Sequence, residues 1–236
     1  MRKALSLCLI MAIMFVALFG TNTVHAAGTV MGTTPKASPG NVGVNFNVNV
    51  TVAEVANLYV WEMNMTFNAT VLNVVSIVEG PFLQSLGSWW LDPVIDNVNG
   101  RVGAGCTLFP YPEHGADGNG VLATVTFNVL MKGKSNLHFA DTKLRSWDPI
   151  GGLLVEITNT RQDGFFRCPF PDVNGDGVVN VIDGAGVSSH WYPGPPLGPL
   201  GYGIDYDIER DGIIGVTDAA KVSAYWTGPP KGPLDP

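Results

Sequence analysis

One pattern limits this chain more than any other. Twelve residues, DVNGDGVVNVID at 172–183, recur as DIERDGIIGVTD at 207–218. The longer stretches 172–191 and 207–226 agree at 9 of 20 positions, and the likeness runs on from GPPLGPL at 194–200 to GPPKGPL at 228–234. A tandem duplication means two copies of one small unit packed together. Each copy puts carboxylates or amides at positions one, three, five and twelve, with glycine at six.

That spacing suits a hard divalent cation. Ca²⁺ takes six to eight oxygens in flexible geometry, and twelve residues wrap it once. In the first loop the ligands read as Asp172, Asn174, Asp176, the carbonyl of Val178 and Asp183, with Asn180 at position nine, where a water often mediates. In the second they read as Asp207, Glu209, Asp211, the carbonyl of Ile213 and Asp218. Position nine there is Gly215, so a ligand at that place must be water. Mg²⁺ fits less well, because it prefers a strict octahedron with several waters. The expectation is two calcium ions.

Each loop leads into a short helix-like stretch, DGAGVSSHW or DAAKVSAYW. Val187 with Trp191, and Val222 with Trp226, fall one turn apart on one face, which predicts that both tryptophans pack between the halves. Gly184 and Gly186 are poor helix formers, at about 1 kcal/mol each relative to Ala. The first helix is therefore expected to fold together with calcium binding.

Upstream the period changes to two. Val42, Val44, Phe46, Val48, Val50 and Val52 alternate with Asn45, Asn47, Asn49 and Thr51. Tyr59, Trp61, Met63, Met65 and Phe67 alternate in the same way, as do Val121, Ala123, Val125, Phe127, Val129 and Met131. Such alternation builds half-buried strands. Further apolar runs lie at 71–78, 102–109, 137–144 and 153–157, with Asn99-Gly100 and Lys132-Gly133 as turns. Residues 88–93, SWWLDP, break the alternation and are expected to cross an end of the fold. No helix period appears between about 40 and 165. The fold class is an all-β sandwich of jelly-roll or Greek-key type followed by a small α-helical calcium-binding domain. The predicted divisions are a signal peptide over 1–26, a Gly/Thr/Pro/Ser-rich linker over 27–40, the sandwich over 41–167 and the loop–helix domain over 171–236.

Arg2 and Lys3 precede an apolar run over residues 4–20 and a Val24-His25-Ala26 cleavage pattern, which predicts a secreted or cell-surface protein with no stable membrane span. Without Arg2 and Lys3 the chain has 11 basic and 20 acidic residues, a net of −9. That excludes a nucleic-acid partner, which calls for a basic face. Of the three cysteines, Cys8 falls in the signal. Cys106 and Cys168 are readable either as a disulfide or as two buried thiols. Asn49, Asn64 and Asn68 each begin an Asn-x-Thr sequon.

Two calcium loops, each followed by a helix and lacking the incoming helix of an ordinary EF-hand, resemble a dockerin. The resemblance rests on Asp172, Asn174, Asp176, Gly177 and Asp183, and on Asp207, Asp211, Gly212 and Asp218. Glu209 and Gly215 depart from the usual Asn or Asp. The alternating segments at 41–77 and 118–144 resemble a cohesin. The resemblance implies a non-catalytic exported scaffold or adaptor that assembles with cohesin- or dockerin-bearing proteins, another copy of itself included. It places partner choice on Val181, Ile182 and Ser188 and on Val216, Thr217 and Ser223. The alternative is a carbohydrate-binding module on a dockerin, with Trp89, Trp90, Phe109 and Tyr111 stacking on polysaccharide. Catalysis is not expected: Glu62, Glu79, Asp92, Asp96, Glu113 and Asp117 are scattered, with no paired-carboxylate or nucleophile motif among them.

Overall fold

The computed structural model describes residues 28–110, 112–193 and 203–227. The expected signal, Tyr111 and both proline–glycine stretches lie outside the described residues. Among those described, thirteen strands precede two helices of the duplicated unit. In chain order the strands are β1 (Val30–Thr34), β2 (Ala37–Pro39), β3 (Asn45–Leu58), β4 (Val60–Thr66), β5 (Leu72–Glu79), β6 (Ser88–Trp90) and β7 (Val94–Asp96). Then come β8 (Arg101–Leu108), β9 (Ala116–Val129), β10 (Gly133–Asp148), β11 (Leu153–Glu156), β12 (Thr160–Gln162) and β13 (Gly164–Cys168). A single helical turn, α1 (Pro81–Gln84), follows β5; α2 (Val181–Ser189) and α3 (Val216–Ala224) follow the sandwich.

The strands form two sheets. One has the order β12-β1-β3-β9-β5. The other runs β2-β13-β10-β4-β8-β6, with β11 on β10 and β7 on β8. The period-two pattern does what it should. Val48, Val50 and Val52 from β3 and Ala123, Val125, Phe127 and Val129 from β9 face Trp61, Met63 and Met65 of β4 and Leu137, Phe139 and Leu144 of β10 in one buried core. Burial of such a side chain is worth about 1.5–3 kcal/mol. The polar residues between them form cross-strand pairs on the outer face: Thr124 Oγ1 donates to Asn49 Oδ1 at 2.8 Å, Thr126 Oγ1 to Asn47 Oδ1 at 2.9 Å, and Asn128 Nδ2 to Asn45 Oδ1 at 2.7 Å. Strand β5 ends its sheet, and Asn97 blunts that edge by hydrogen-bonding both the N–H and the carbonyl of Val74.

Three expectations are corrected, and the open alternative for the cysteines is resolved. Residues 27–40 are not simply a linker. Met31 is fully buried and β1 pairs antiparallel with β3 and parallel with β12, while β2 pairs parallel with β13. Val42 and Val44 are exposed, because β3 begins only at Asn45. Residues 88–90 do not cross an end of the sandwich; they are β6, an edge strand on β8. Cys106 and Cys168 are free buried thiols. They sit on β8 and β13 with β4 and β10 between them. On β10, Cys168 stands opposite Gly133, whereas Cys106 lines up, through Trp61 of β4, with Leu144. Eleven residues of strand put them roughly 35 Å apart, far beyond the reach of a disulfide.

The duplicated unit has a small core of its own: Val179, Val187, Ile208, Ile214 and Val222. Its halves are joined reciprocally. Ile214, at position eight of the second loop, exchanges two 2.8 Å backbone hydrogen bonds with Tyr192, just after the first repeat. Val179, at position eight of the first loop, bonds Thr227, just after the second: Thr227 N donates to its carbonyl at 2.9 Å, and its N–H donates to Thr227 Oγ1 at 2.7 Å. Trp191 and Trp226 do not pack between the halves. They are 42% and 43% exposed, because the small aliphatic core closes without them.

Candidate metal centre and docking face

The two loops repeat one hydrogen-bond scheme. At position one, Asp172 and Asp207 each use Oδ2 to accept from the glycine N–H at position six, at 2.8 Å in both loops. Their Oδ1 atoms accept from the N–H at position five, at 3.2 and 3.1 Å. At position twelve, Asp183 and Asp218 each use Oδ1 to accept from the N–H groups at positions two and three, at 2.8 and 3.3 Å in the first loop and 2.6 and 3.3 Å in the second. Their Oδ2 atoms accept from the N–H at position nine, Asn180 or Gly215, both at 2.8 Å. The same carboxylates thereby cap the starts of α2 and α3, where unpaired N–H groups favour negative charge. Gly177 and Gly212 hold φ of +86° and +88°, which lets the chain turn at position six.

The four carboxylates at positions one and twelve are only 6, 0, 1 and 0% exposed. Burial pushes the pKa of Asp218 up, and the charge of Asp207 pushes it further, while N–H donors from Gly215, Ile208 and Glu209 pull the other way. Two like charges sharing a buried loop call for a cation. Each oxygen that accepts one or two N–H bonds retains electron density for such an ion, and the donor set is all oxygen. The residues therefore fit calcium.

The rest of the expected ligand set is placed differently. Among the described residues no three His, Cys, Asp or Glu side chains gather closely enough to hold an ion by themselves. The position-five carboxylates Asp176 and Asp211 are exposed and turn to their own chain, accepting from Val178 N at 2.8 Å and Ile213 N at 2.9 Å. Asn174 donates from Nδ2 to Asp176 Oδ2 at 2.9 Å. Glu209 pairs with Lys221 at 3.2 Å. Asn180 accepts from Ile182 N at 2.7 Å as an N-cap. Each loop thus carries a buried carboxylate pair and a shell of exposed oxygens on the surface side.

The expected partner residues sit beside these pairs. Val181, Ile182 and Val216 are 67, 58 and 70% exposed, at the first turns of α2 and α3. Thr217, Ser188 and Ser223 are exposed too. Both serines fold back on their helices, donating to Gly184 O at 2.8 Å and Ala219 O at 3.4 Å. The described aromatics expected to stack on sugar are not coplanar. Trp89 and Phe109 are exposed but meet at 68°, and Trp90 turns in against Trp61. Arg167 and Asp205, which join the loops to the sandwich at 2.8 Å, gave no sequence signal because 38 residues separate them.

Comparison with known proteins finds two domain families along the chain. The cohesin domain family matches residues 31–146, and the dockerin type I domain family matches residues 171–227. No curated protein matches the chain. Among solved structures, a non-cellulosomal cohesin from the archaeon Archaeoglobus fulgidus is similar at 19% identity and TM-score 0.48, over 60% of this chain and 91% of its own. The second type II cohesin module of the adaptor ScaA scaffoldin of Acetivibrio cellulolyticus is similar at 21% identity and TM-score 0.47, over 61% and 91%. The seventh ScaB type I cohesin of Pseudobacteroides cellulosolvens is similar at 14% identity and TM-score 0.49, over 59% and 91%.

Proposed function

Because this chain carries a cohesin domain followed by a type I dockerin domain, we propose that it is an exported, non-catalytic adaptor. It would take two calcium ions and join cohesin- or dockerin-bearing partners outside the cell. Type I dockerin domains bind calcium. The first site would use Asp172, Asn174, Asp176, the Val178 carbonyl and Asp183, with Asn180 acting through water. The second would use Asp207, Glu209, Asp211, the Ile213 carbonyl and Asp218. Bound calcium supplies charge neutralisation for the buried carboxylate pairs. Asp183 and Asp218 then tie each loop to the start of its helix, which fixes Val181, Ile182, Val216 and Thr217 on the surface.

The observation that carries this reading is the repeated hydrogen-bond scheme of the loops, with exposed aliphatic residues directly after each. Exposed aliphatic side chains on two adjacent helix starts favour an apolar protein contact. The perpendicular Trp89 and Phe109 rings are a poor platform for a pyranose, so the assembly reading is preferred to the sugar-binding one.

The test is calorimetric. The calcium-loaded chain is titrated with cohesin domains, its own sandwich among them. Val181→Asp together with Val216→Asp is expected to abolish the heat of binding while leaving calcium uptake unchanged. Binding that survived both substitutions would sink this interface.

A further inference from the structure

The calcium loops rest on the sandwich through charged contacts that a freely tethered domain would not need. Arg167 of β13 is buried, at 5% exposure, and forks onto the segment just ahead of the second loop. Its Nη2 donates to Asp205 Oδ1 at 2.8 Å and its Nη1 to the Asp205 carbonyl at 3.2 Å. Lys134 Nζ of β10 reaches the same carboxylate at 3.3 Å. Arg210, at position four of the second loop, lays its guanidinium 3.9 Å from the ring centre of Phe165 on β13. Lys132 Nζ donates to the carbonyl of Gly177, position six of the first loop, at 2.9 Å. Burial pulls the pKa of Arg167 down and Asp205 works against that, as expected of a guanidinium that is sheltered only with its partner in place.

Every one of these contacts ends within a loop or two residues from one. The backbone shape held by the sandwich is therefore the shape that sets Asp172 against Asp183 and Asp207 against Asp218. We propose that the paired strands β10 and β13 of the sandwich are an anchor for the dockerin loops, so that calcium binding and docking of the module reinforce each other. This rests on the reading of the loops as calcium sites. By reciprocity, whatever loosens the docking must weaken calcium binding by the same factor, and removing calcium must loosen the docking. Val181, Ile182 and Val216 are exposed in the docked arrangement, so the anchor leaves the partner face open.

The experiment uses the full chain with Phe165→Leu and Arg167→Lys. Both variants keep the net charge, so a change in calcium affinity cannot come from an altered field. Leu removes the ring under Arg210; Lys keeps the charge but loses the fork. Calcium dissociation constants are measured by chelator competition, and the chain's dimensions by small-angle scattering in calcium and in EGTA. Protection of Cys106 from thiol reagents checks that the sandwich is intact. Each variant is expected to bind calcium more weakly, on the order of fivefold, and to be more extended in calcium than the wild type. The wild type is expected to expand in EGTA. Equal affinity and equal dimensions across all three chains would overturn the anchor alone. A wild type that takes up no calcium would overturn the anchor and the calcium reading together.

Discussion

At the scale of single residues, this chain places polar groups where the cost of burial is high and offsets it locally. Asp183 and Asp218 are buried, yet each accepts three backbone N–H bonds. These residues were legible because the loop is a local motif in which spacing alone implies convergence. The cysteines were not, since pairing depends on strand order. Cys106 lies in the core, where burial and the nearby charge of Glu79 push its pKa up to about 12. Burial raises that of Cys168 as well. The folded protein should therefore resist iodoacetamide at pH 8, with both thiols reacting only in denaturant. Fast alkylation of Cys106 in the native state would contradict its burial. The linkage has a definite sign. A raised thiol pKa gives a contribution that is complete below the ordinary value of 9.0 and is lost as pH rises from there towards about 12. Chemical denaturation should accordingly show falling stability across that alkaline window.

At the scale of elements, alternation made β3, β4 and β9 readable because one face of each is buried. β1 is not legible, since one apolar Met31 among Gly and Thr reads like a linker. Its neighbours β3 and β12 supply the pairing that the sequence does not advertise. The helices reveal a different limit. Trp191 and Trp226 have the right spacing for a shared core, but Val187 and Val222 fill it first. The two glycines of α2 have opposite reasons to be there. A Cβ at Gly184 would meet Val222 Cγ1 at 3.9 Å, an ordinary contact, whereas one at Gly186 would come within 2.9 Å of Tyr206 Cε1. The Tyr206 ring is stacked on His190 at 3.7 Å and cannot shift freely. Gly184→Ala should stabilise the module by about 0.5–1 kcal/mol. Gly186→Ala should destabilise it despite the same gain in helix propensity. Thermal melts of the two variants in calcium check this; equal shifts would mean that the Tyr206–His190 stack imposes no constraint.

At the scale of the whole molecule, two domain types that usually occupy opposite sides of an assembly lie in one chain. The order of domains was legible from the change of period near residue 168 and from the duplication. The junction between them was not, because Arg167, Phe165, Asp205 and Arg210 carry no shared pattern and meet only after both domains fold. With the module seated on the paired strands β10 and β13, its aliphatic residues Val181, Ile182 and Val216 stay exposed, which suits an adaptor that reaches other proteins. On the proposed reading, the paired carboxylates are calcium sites that order this face. The most direct measurement is calcium titration of the full chain by calorimetry, alongside Asp183→Ala and Asp218→Ala. Two ions are expected for the wild type and one for each variant. A wild type with no saturable calcium binding, or variants that still take up two ions, would contradict it.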